Sequence, residues 1–179
     1  SLSIVYSDAT KGWIPVSDDA VTDAPVTPPT QKAIFGYGID YVSMTNLVSS
    51  SGVVATDVSG VGTGRSFLGA ASYGGDKAIF GYGEISGGGV TSLTNLVNNS
   101  GVVAADVTGV GSARSNLTAA SYGTDKAIFG YGDLPGATAI TNLVSNSGVV
   151  ATDTAGVGST RYGLAATAYG TDKAIFGYG

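Results

Sequence analysis

One seven-residue string, Lys-Ala-Ile-Phe-Gly-Tyr-Gly, occurs four times in the chain without a change. The copies span 32–38, 77–83, 126–132 and 173–179, so they recur about every 47 residues, a spacing typical of repeat architectures. The string is typical of a buried strand, because Ala, Ile, Phe and Tyr supply apolar surface and the two glycines leave room for a close neighbour or a turn. These identical strands constrain the fold more than any other feature of the sequence.

The same series of segments follows each string. A variable loop comes first, then Thr-Asn-Leu-Val, a Gly-Val-Val-Ala-x-Asp segment, a Gly-Val-Gly turn, and a small-residue segment that begins with Arg and ends with Tyr. The apolar segments are short, are separated by turn residues and lack a 3.6-residue period, which favours strands over helices. The sequence therefore predicts an all-β fold with three full four-stranded repeats, at 39–83, 84–132 and 133–179.

Residues 1–31 lie outside the repeat. Two short apolar runs flank a turn-rich stretch within residues 1–16, which predicts a β-hairpin. Residues 17–31 are rich in Pro and Asp, as is typical of an extended linker. The expected organisation is thus a hairpin at 1–16, a linker at 17–31 and a repeat array at 32–179.

Composition argues against several classes of function. The chain has no Cys and no His, so thiolate or imidazole zinc sites, Cys nucleophiles and imidazole bases are absent. The net charge of −5 and the absence of a basic run disfavour nucleic acid as a partner, and no apolar run reaches the roughly 18 residues of a membrane span. No calcium-loop motif occurs and no paired carboxylates recur, so we expect no metal, no cofactor and no enzymatic activity.

The segment 161–179 resembles the kelch repeat. It has an Arg, a small-residue strand, a turn and an apolar strand that ends in glycines, although Tyr178 separates these glycines and the Trp that usually closes a kelch unit is missing. The resemblance covers 32–179 and implies a kelch-like β-propeller of four-stranded blades. Such propellers usually close with about six or seven blades. Three units therefore imply part of a longer chain, an assembly of copies, or an open stack.

Arrays of Asp-Lys-Ala-Ile-Phe-Gly-Tyr-Gly are also similar to those in virion structural proteins of tailed bacteriophages, and the leader at 4–14 is similar to segments that precede distal modules of phage fibre proteins. This resemblance implies a non-enzymatic structural or adhesive module of the virion, in a tail fibre or attached to the capsid, and therefore extracellular. The implied partners are other virion proteins, further copies of the chain, or a host-surface glycan. The alternatives are a secreted carbohydrate-binding propeller and a kelch-like enzyme.

The variable loops are the best candidates for function, because binding residues often lie on loops of a rigid scaffold. These loops span 39–43, 84–93 and 133–140, whereas the segments around them hardly change. Their polar or aromatic groups, which we take as candidate binding residues, are Asp40, Tyr41, Glu84 and Asp133.

Residues that recur in every unit are interpreted as structural. The recurring charged residues are Arg65, Arg114 and Arg161, with Asp57, Asp106 and Asp153. We expect each Asp and Arg to bridge adjacent strands or blades; the alternative is a ring of binding groups around a channel. The Tyr of each string is expected in the core with a hydrated hydroxyl, and the Asn of Thr-Asn-Leu-Val is expected to cap a turn or the backbone. The alternative for both is contact with a sugar.

Overall fold

The structure is a computed structural model that describes residues 4–10, 12–15 and 33–179. The chain divides into two compact units, Ser1–Thr30 and Gln31–Gly179. The predicted linker at 17–31 lies outside the described residues.

The first unit contains an antiparallel strand pair, β1 (Ile4–Asp8) and β2 (Gly12–Pro15). The register shifts between Tyr6 and Asp8, next to the turn. Thr10 N donates a hydrogen bond to Asp8 Oδ1 at 2.8 Å, an arrangement typical of an Asp that begins a turn.

The described part of the second unit contains strands and one short 3-10 turn at Ile39–Tyr41. Its strands are β3 (Ala33–Gly36), β4 (Thr45–Val48), β5 (Arg65–Ser66), β6 (Gly69–Tyr73), β7 (Lys77–Gly81), β8 (Glu84–Ile85), β9 (Gly89–Val90), β10 (Thr94–Val97), β11 (Thr118–Tyr122), β12 (Lys126–Asp133), β13 (Ala137–Val144), β14 (Ala165–Tyr169) and β15 (Lys173–Gly177). None of the helical segments described is long and apolar enough to cross a membrane. The predicted all-β class is confirmed.

The repeated string forms the central strand of two three-stranded sheets and one strand of each of two two-stranded sheets, and we call β3, β7, β12 and β15 the anchor strands. The strand β7 pairs with β6 on one edge and with β10 on the other, so that Ile79 lies between Ala71 and Leu96. The sheet β11-β12-β13 has the same order, and both sheets combine strands of two predicted units. The first sheet, β3-β4, and the last, β14-β15, have two strands each in the part of the chain described.

The predicted fourth strand of each unit is present only as two isolated bridges. In the first unit, Thr45 pairs with Val58 and Val48 pairs with Val54, so the outer segment has one more residue between the bridges than β4 has. An extra residue of this kind is a β-bulge, which interrupts the ladder. The same spacing recurs in the other two units. The sheets that contain the anchor strands therefore have two or three strands, and a bulged outer segment lies beside β4, β10 and β13.

Successive sheets pack against each other through their anchor strands. The first glycine of one string lies against the Phe of the next, and the three contacts are Gly36–Phe80, Gly81–Phe129 and Gly130–Phe176. A Cβ at Gly81 would lie only 2.7 Å from Phe129 Cζ, so no other residue fits without displacing the ring. The two buried clusters accordingly combine residues of consecutive units, such as Tyr37 with Phe80 and Tyr82 with Phe129. The core lies between the sheets.

The sheets remain separate and open within the described residues, and none closes into a barrel or a ring. A kelch-like propeller requires a closed ring with a definite number of blades, so the propeller fold stays a prediction.

Candidate functional site: the inter-repeat junctions and the loop face

Three equivalent junctions connect consecutive sheets, and each contains a Tyr, a Phe and an Arg. The Tyr ends one anchor string, the Phe lies in the next string, and the Arg precedes that next string. The three sets are Tyr37, Phe80 and Arg65; Tyr82, Phe129 and Arg114; and Tyr131, Phe176 and Arg161. We number these junctions 1, 2 and 3.

The anchor Tyr adopts the left-handed backbone region at every junction. Its φ is 64° at Tyr37, 63° at Tyr82 and 61° at Tyr131. This conformation costs an L-residue about 1–2 kcal/mol. The contacts of the ring offset that cost: it packs at 5.1, 5.1 and 5.5 Å from the Phe ring of the next string.

The Tyr hydroxyls donate to backbone carbonyls of the Gly-Val-Gly turns. The acceptors are Val61 O at 3.2 Å, Val110 O at 3.0 Å and Val157 O at 3.4 Å. Burial raises the pKa of the Tyr37 and Tyr82 hydroxyls, because the charged form would lose its hydration. At junctions 1 and 2 these rings belong to the core, as predicted, and are not free to stack on a sugar.

The Arg of each junction lies over the Tyr ring, with its guanidinium carbon 4.7, 4.3 and 5.0 Å from the ring centre at junctions 1, 2 and 3. Arg65 and Arg114 are fully buried. Their hydrogen bonds include Arg65 Nη1 to Leu93 O at 2.6 Å and Arg114 Nε to Tyr131 O at 2.7 Å. Burial also lowers the pKa of Arg114. The Arg residues thus fasten one unit to the next and are closed to ligands at junctions 1 and 2.

The recurring Asp side chains fasten the outer segment to the loop that precedes the same sheet. Asp106 accepts hydrogen bonds from Thr63 N at 3.0 Å, Thr63 Oγ1 at 2.7 Å and Asn95 Nδ2 at 2.9 Å. Asp153 has the same contacts with Ser112 and Asn142. Burial alone would raise the pKa of Asp106 and Asp153, but hydrogen bonds from these partners outweigh it, so both pKa values are lowered.

Asp and Arg form no direct ion pair among the described residues, where the ion pairs join neighbouring Asp and Lys residues. At junction 1, Asn95 lies between the two charges: it accepts from Arg65 Nη2 through Oδ1 and donates to Asp106 through Nδ2. An amide can do both because it carries an acceptor and two donors. At junction 2 the corresponding atoms, Arg114 Nη2 and Asn142 Oδ1, have no hydrogen-bond partner among the described residues, so the Asn link between Arg and Asp is a feature of junction 1.

The same Asn also satisfies the β-bulge. Asn46, Asn95 and Asn142 each donate to the carbonyl of the Ala nine residues later, at 3.1, 3.0 and 3.1 Å. The interrupted ladder would otherwise leave that carbonyl without a strand partner. The predicted backbone-capping role of this Asn is therefore confirmed.

The three variable loops leave the sheets where the anchor strings end. Glu84, at the start of the second loop, pairs with Ser66, and Asp133, at the start of the third, pairs with Ser115. The second loop forms the hairpin β8-β9, and the third is the turn between β12 and β13. Each loop therefore begins beside the segment that follows a junction Arg.

Two of the four candidate binding residues are in contact. Tyr41 Oη donates to Glu84 Oε1 at 2.8 Å, which joins the loops of two different units. This hydrogen bond raises the pKa of Tyr41, because the carboxylate accepts the phenolic proton. Asp40 is exposed beside Tyr41 and has a φ of 66°. Asp133 serves its own turn, accepting from Gly136 N at 2.9 Å.

Sequence reasoning missed Phe67, which lies two residues after Arg65 and directly after Ser66. Its φ is 54° and its side chain is 51% exposed, an unusual combination for a bulky residue. The equivalent residues, Asn116 and Gly163, also have positive φ, and backbone hydrogen bonds connect the three positions in turn. The available signal was variation: this position differs in every unit while its neighbours Arg and Leu recur. We call the three loops together with Phe67 the loop face.

The loop face combines exposed apolar groups with carboxylates. It offers exposed apolar or aromatic surface at Ile39 and Phe67 and carboxylates at Asp40 and Glu84. In the described part of the chain, no three acidic residues come together in a way that could hold a metal ion. No protein-family model matches the chain, and no curated protein matches it.

Proposed function

We propose that the chain is a non-enzymatic structural and adhesive repeat module of a bacteriophage virion, which presents its loop face for attachment to a host surface or to the particle. We propose further that its sheets are blades of a kelch-like propeller. The virion assignment rests on the resemblance of the repeated string and the leader to phage proteins. The adhesive role rests on the division of the repeat into constant junctions and a variable face.

The bond between Tyr41 and Glu84 is the observation that carries the adhesive role. It joins the variable loops of two units, although the residues on both sides of it differ between units. A loop that only connects two strands does not require a side-chain contact with another loop. A shared, partly ordered surface is what a binding site on a rigid scaffold requires.

A host-surface glycan fits the loop face better than a charged polymer does. Phe67 presents a ring that is half exposed, while Asp40 and Glu84 are hydrogen-bond acceptors. Sugars offer apolar ring faces and many hydroxyl donors, so both kinds of group have a counterpart. The net charge of −5 disfavours polyanionic ligands.

Binding to a glycan array tests this proposal, with Phe67→Gly as the main variant. Glycine tolerates the positive φ, so this change removes the ring and also relieves backbone strain. The matched control is Asn116→Gly, the equivalent position of the next unit. We expect Phe67→Gly to weaken binding about tenfold, which corresponds to about 1.4 kcal/mol, and Asn116→Gly to leave it unchanged.

Two results would contradict the proposal. If the chain binds no glycan and no host-surface preparation, it is a scaffold only. If labelled antibody fails to mark purified phage particles while glycan binding persists, the chain is a secreted carbohydrate-binding propeller instead.

A further inference from the structure

Two buried polar atoms at junction 2 have no hydrogen-bond partner among the described residues. They are Arg114 Nη2, which is a donor, and Asn142 Oδ1, which is an acceptor, and both residues are 0% exposed. Buried polar groups of folded proteins nearly always have a partner, either in the protein or in an ordered water. The two atoms therefore mark a site where a further group is needed.

Junction 1 satisfies the equivalent atoms by direct contact. There Arg65 Nη2 donates to Asn95 Oδ1, and Arg65 Nε has no partner. At junction 2 the guanidinium is used differently, because Arg114 Nε donates to Tyr131 O at 2.7 Å. Arg114 Nη2 and Asn142 Oδ1 are consequently not bonded to each other.

The amide of Asn142 cannot turn over to relieve this mismatch. Its Nδ2 donates to Ala151 O at 3.1 Å and to Asp153 Oδ1 at 2.9 Å. A flipped amide would place its oxygen against these two acceptors and lose both hydrogen bonds. Asn142 Oδ1 therefore remains an acceptor, and Arg114 Nη2 can only donate, because a guanidinium has no acceptor.

The chemistry of the two atoms limits what can lie between them. The group needs an acceptor for Arg114 and a donor for Asn142. A chloride ion has no donor and a metal cation has no acceptor, so neither satisfies both atoms. A hydroxyl satisfies both, and water is the smallest molecule that provides one. Its size suits a site formed by two residues that are closed to solvent.

We propose that junction 2 binds one ordered water, which accepts a hydrogen bond from Arg114 Nη2 and donates one to Asn142 Oδ1. Its second proton is donated to Ile140 O, the equivalent of the Leu93 O that accepts from Arg65 Nη1 at junction 1. Three hydrogen bonds are the usual number for a buried water.

The water completes a hydrogen-bonded circuit across the junction. Asn142 Nδ2 and Ser112 Oγ both donate to Asp153, and Arg114 Nη1 donates to Ser112 O at 3.1 Å. A water between Arg114 and Asn142 closes this circuit without moving the guanidinium. Arg114 can then keep its bond to the carbonyl of Tyr131, two residues before the third variable loop. This site is independent of ligand binding at the loop face.

A high-resolution crystal structure of the chain tests the proposal. We expect a density peak about 2.7–3.2 Å from Arg114 Nη2 and about 2.5–3.0 Å from Asn142 Oδ1, the ordinary ranges for such hydrogen bonds. The matched control is junction 1, where Arg65 and Asn95 should be in direct contact with no peak between them. A direct bond between Arg114 and Asn142, or no peak in contact with both, overturns the proposal.

Nuclear magnetic resonance of the chain in solution provides a second test, through cross-relaxation between water and amide protons. We expect the side-chain amide of Asn142 to show a cross-peak with a long-lived water and that of Asn95 to show none. The Ser112 hydroxyl shares Asp153 with this amide and exchanges its proton with water, so a Ser112→Ala chain excludes it as the source. Absence of the Asn142 cross-peak in either chain, or equal cross-peaks at Asn142 and Asn95, overturns the proposal.

Discussion

One alanine substitution should have opposite effects at two copies of the same string. Gly81 and Gly177 occupy identical positions, in strings of identical sequence. A Cβ at Gly81 would lie 2.7, 3.2 and 3.1 Å from three atoms of the buried Phe129 ring, whereas a Cβ at Gly177 meets nothing within 4 Å. Local sequence therefore predicts equal effects, and packing predicts unequal ones.

The magnitude follows from the contact. An ordinary Cβ contact needs about 3.4 Å or more, so the Phe129 ring must move by roughly 0.7 Å inside a cluster that is closed to solvent, and overpacking of this kind costs about 1–3 kcal/mol. Gly177→Ala lies in open space and restricts the unfolded chain, which stabilises by about 0.4–1 kcal/mol. The same restriction applies to Gly81→Ala and cancels in the comparison, so the two variants should differ by about 1–3 kcal/mol in the free energy of unfolding.

Urea unfolding followed by far-ultraviolet circular dichroism measures the difference, at concentrations where the chain is a single copy. With an m-value of about 1–3 kcal/mol/M, Gly81→Ala should move the midpoint down by about 1 M relative to Gly177→Ala. Adding Phe129→Leu to Gly81→Ala should recover part of the loss, because the smaller side chain leaves room for the methyl group. Equal midpoints for the two alanine variants would refute the stacking of glycine on Phe between consecutive sheets.

Three further predictions concern the junctions. Asp106→Asn should lower the free energy of unfolding by about 1–3 kcal/mol, because it disrupts hydrogen bonds from Thr63 and Asn95. Asp57→Asn should lower it less, because Asp57 has no such contact with a Thr among the described residues. Thermal unfolding of both variants measures the difference. Arg114→Ala should lower the free energy of unfolding by about 3–5 kcal/mol, and Arg161→Ala by much less, because Arg114 is fully buried and Arg161 is not. Equal urea midpoints for the two variants would contradict this prediction. The pKa values of Asp106 and Asp153 are lowered in the folded chain, so both carboxylates contribute to stability. This contribution is complete above the unfolded pKa of about 3.9 and is lost as the pH falls through the lower folded values. An Asp106→Asn/Asp153→Asn variant should therefore show a shallower loss of stability below about pH 4.

The strand content was predictable because it depends on local pattern. The Lys-Ala-Ile-Phe-Gly string has β-forming residues between turn residues, and it is a strand in all four copies. The structural interpretation of Arg and Asp followed from their recurrence in every unit. Recurrence shows that residues serve the repeat, but it does not show which of them touch.

The features that sequence reasoning missed depend on partners that are distant in the chain. The bulge arises from unequal spacing between two bridges, and Asn46 becomes necessary only once the bulge exists. The Asn between Arg65 and Asp106 is another case, because its two contacts are 30 and 11 residues away. Phe67 was overlooked because a variable position inside a constant segment was not weighed as a loop would be.

The identity of the four strings follows from their mutual contacts. At each junction the Gly and Tyr of one string pack on the Phe of the next, so the inner strings each meet a neighbour on both sides. A residue larger than Gly in one string requires a side chain smaller than Phe in the next string. The Gly and Tyr of that next string in turn contact the Phe of the string that follows it. A change in one copy therefore has to be matched along the array, which favours no change at all. The variable loops take no part in these Gly–Phe contacts, so their sequences can differ, and the bond between Tyr41 and Glu84 joins two loops without involving the string.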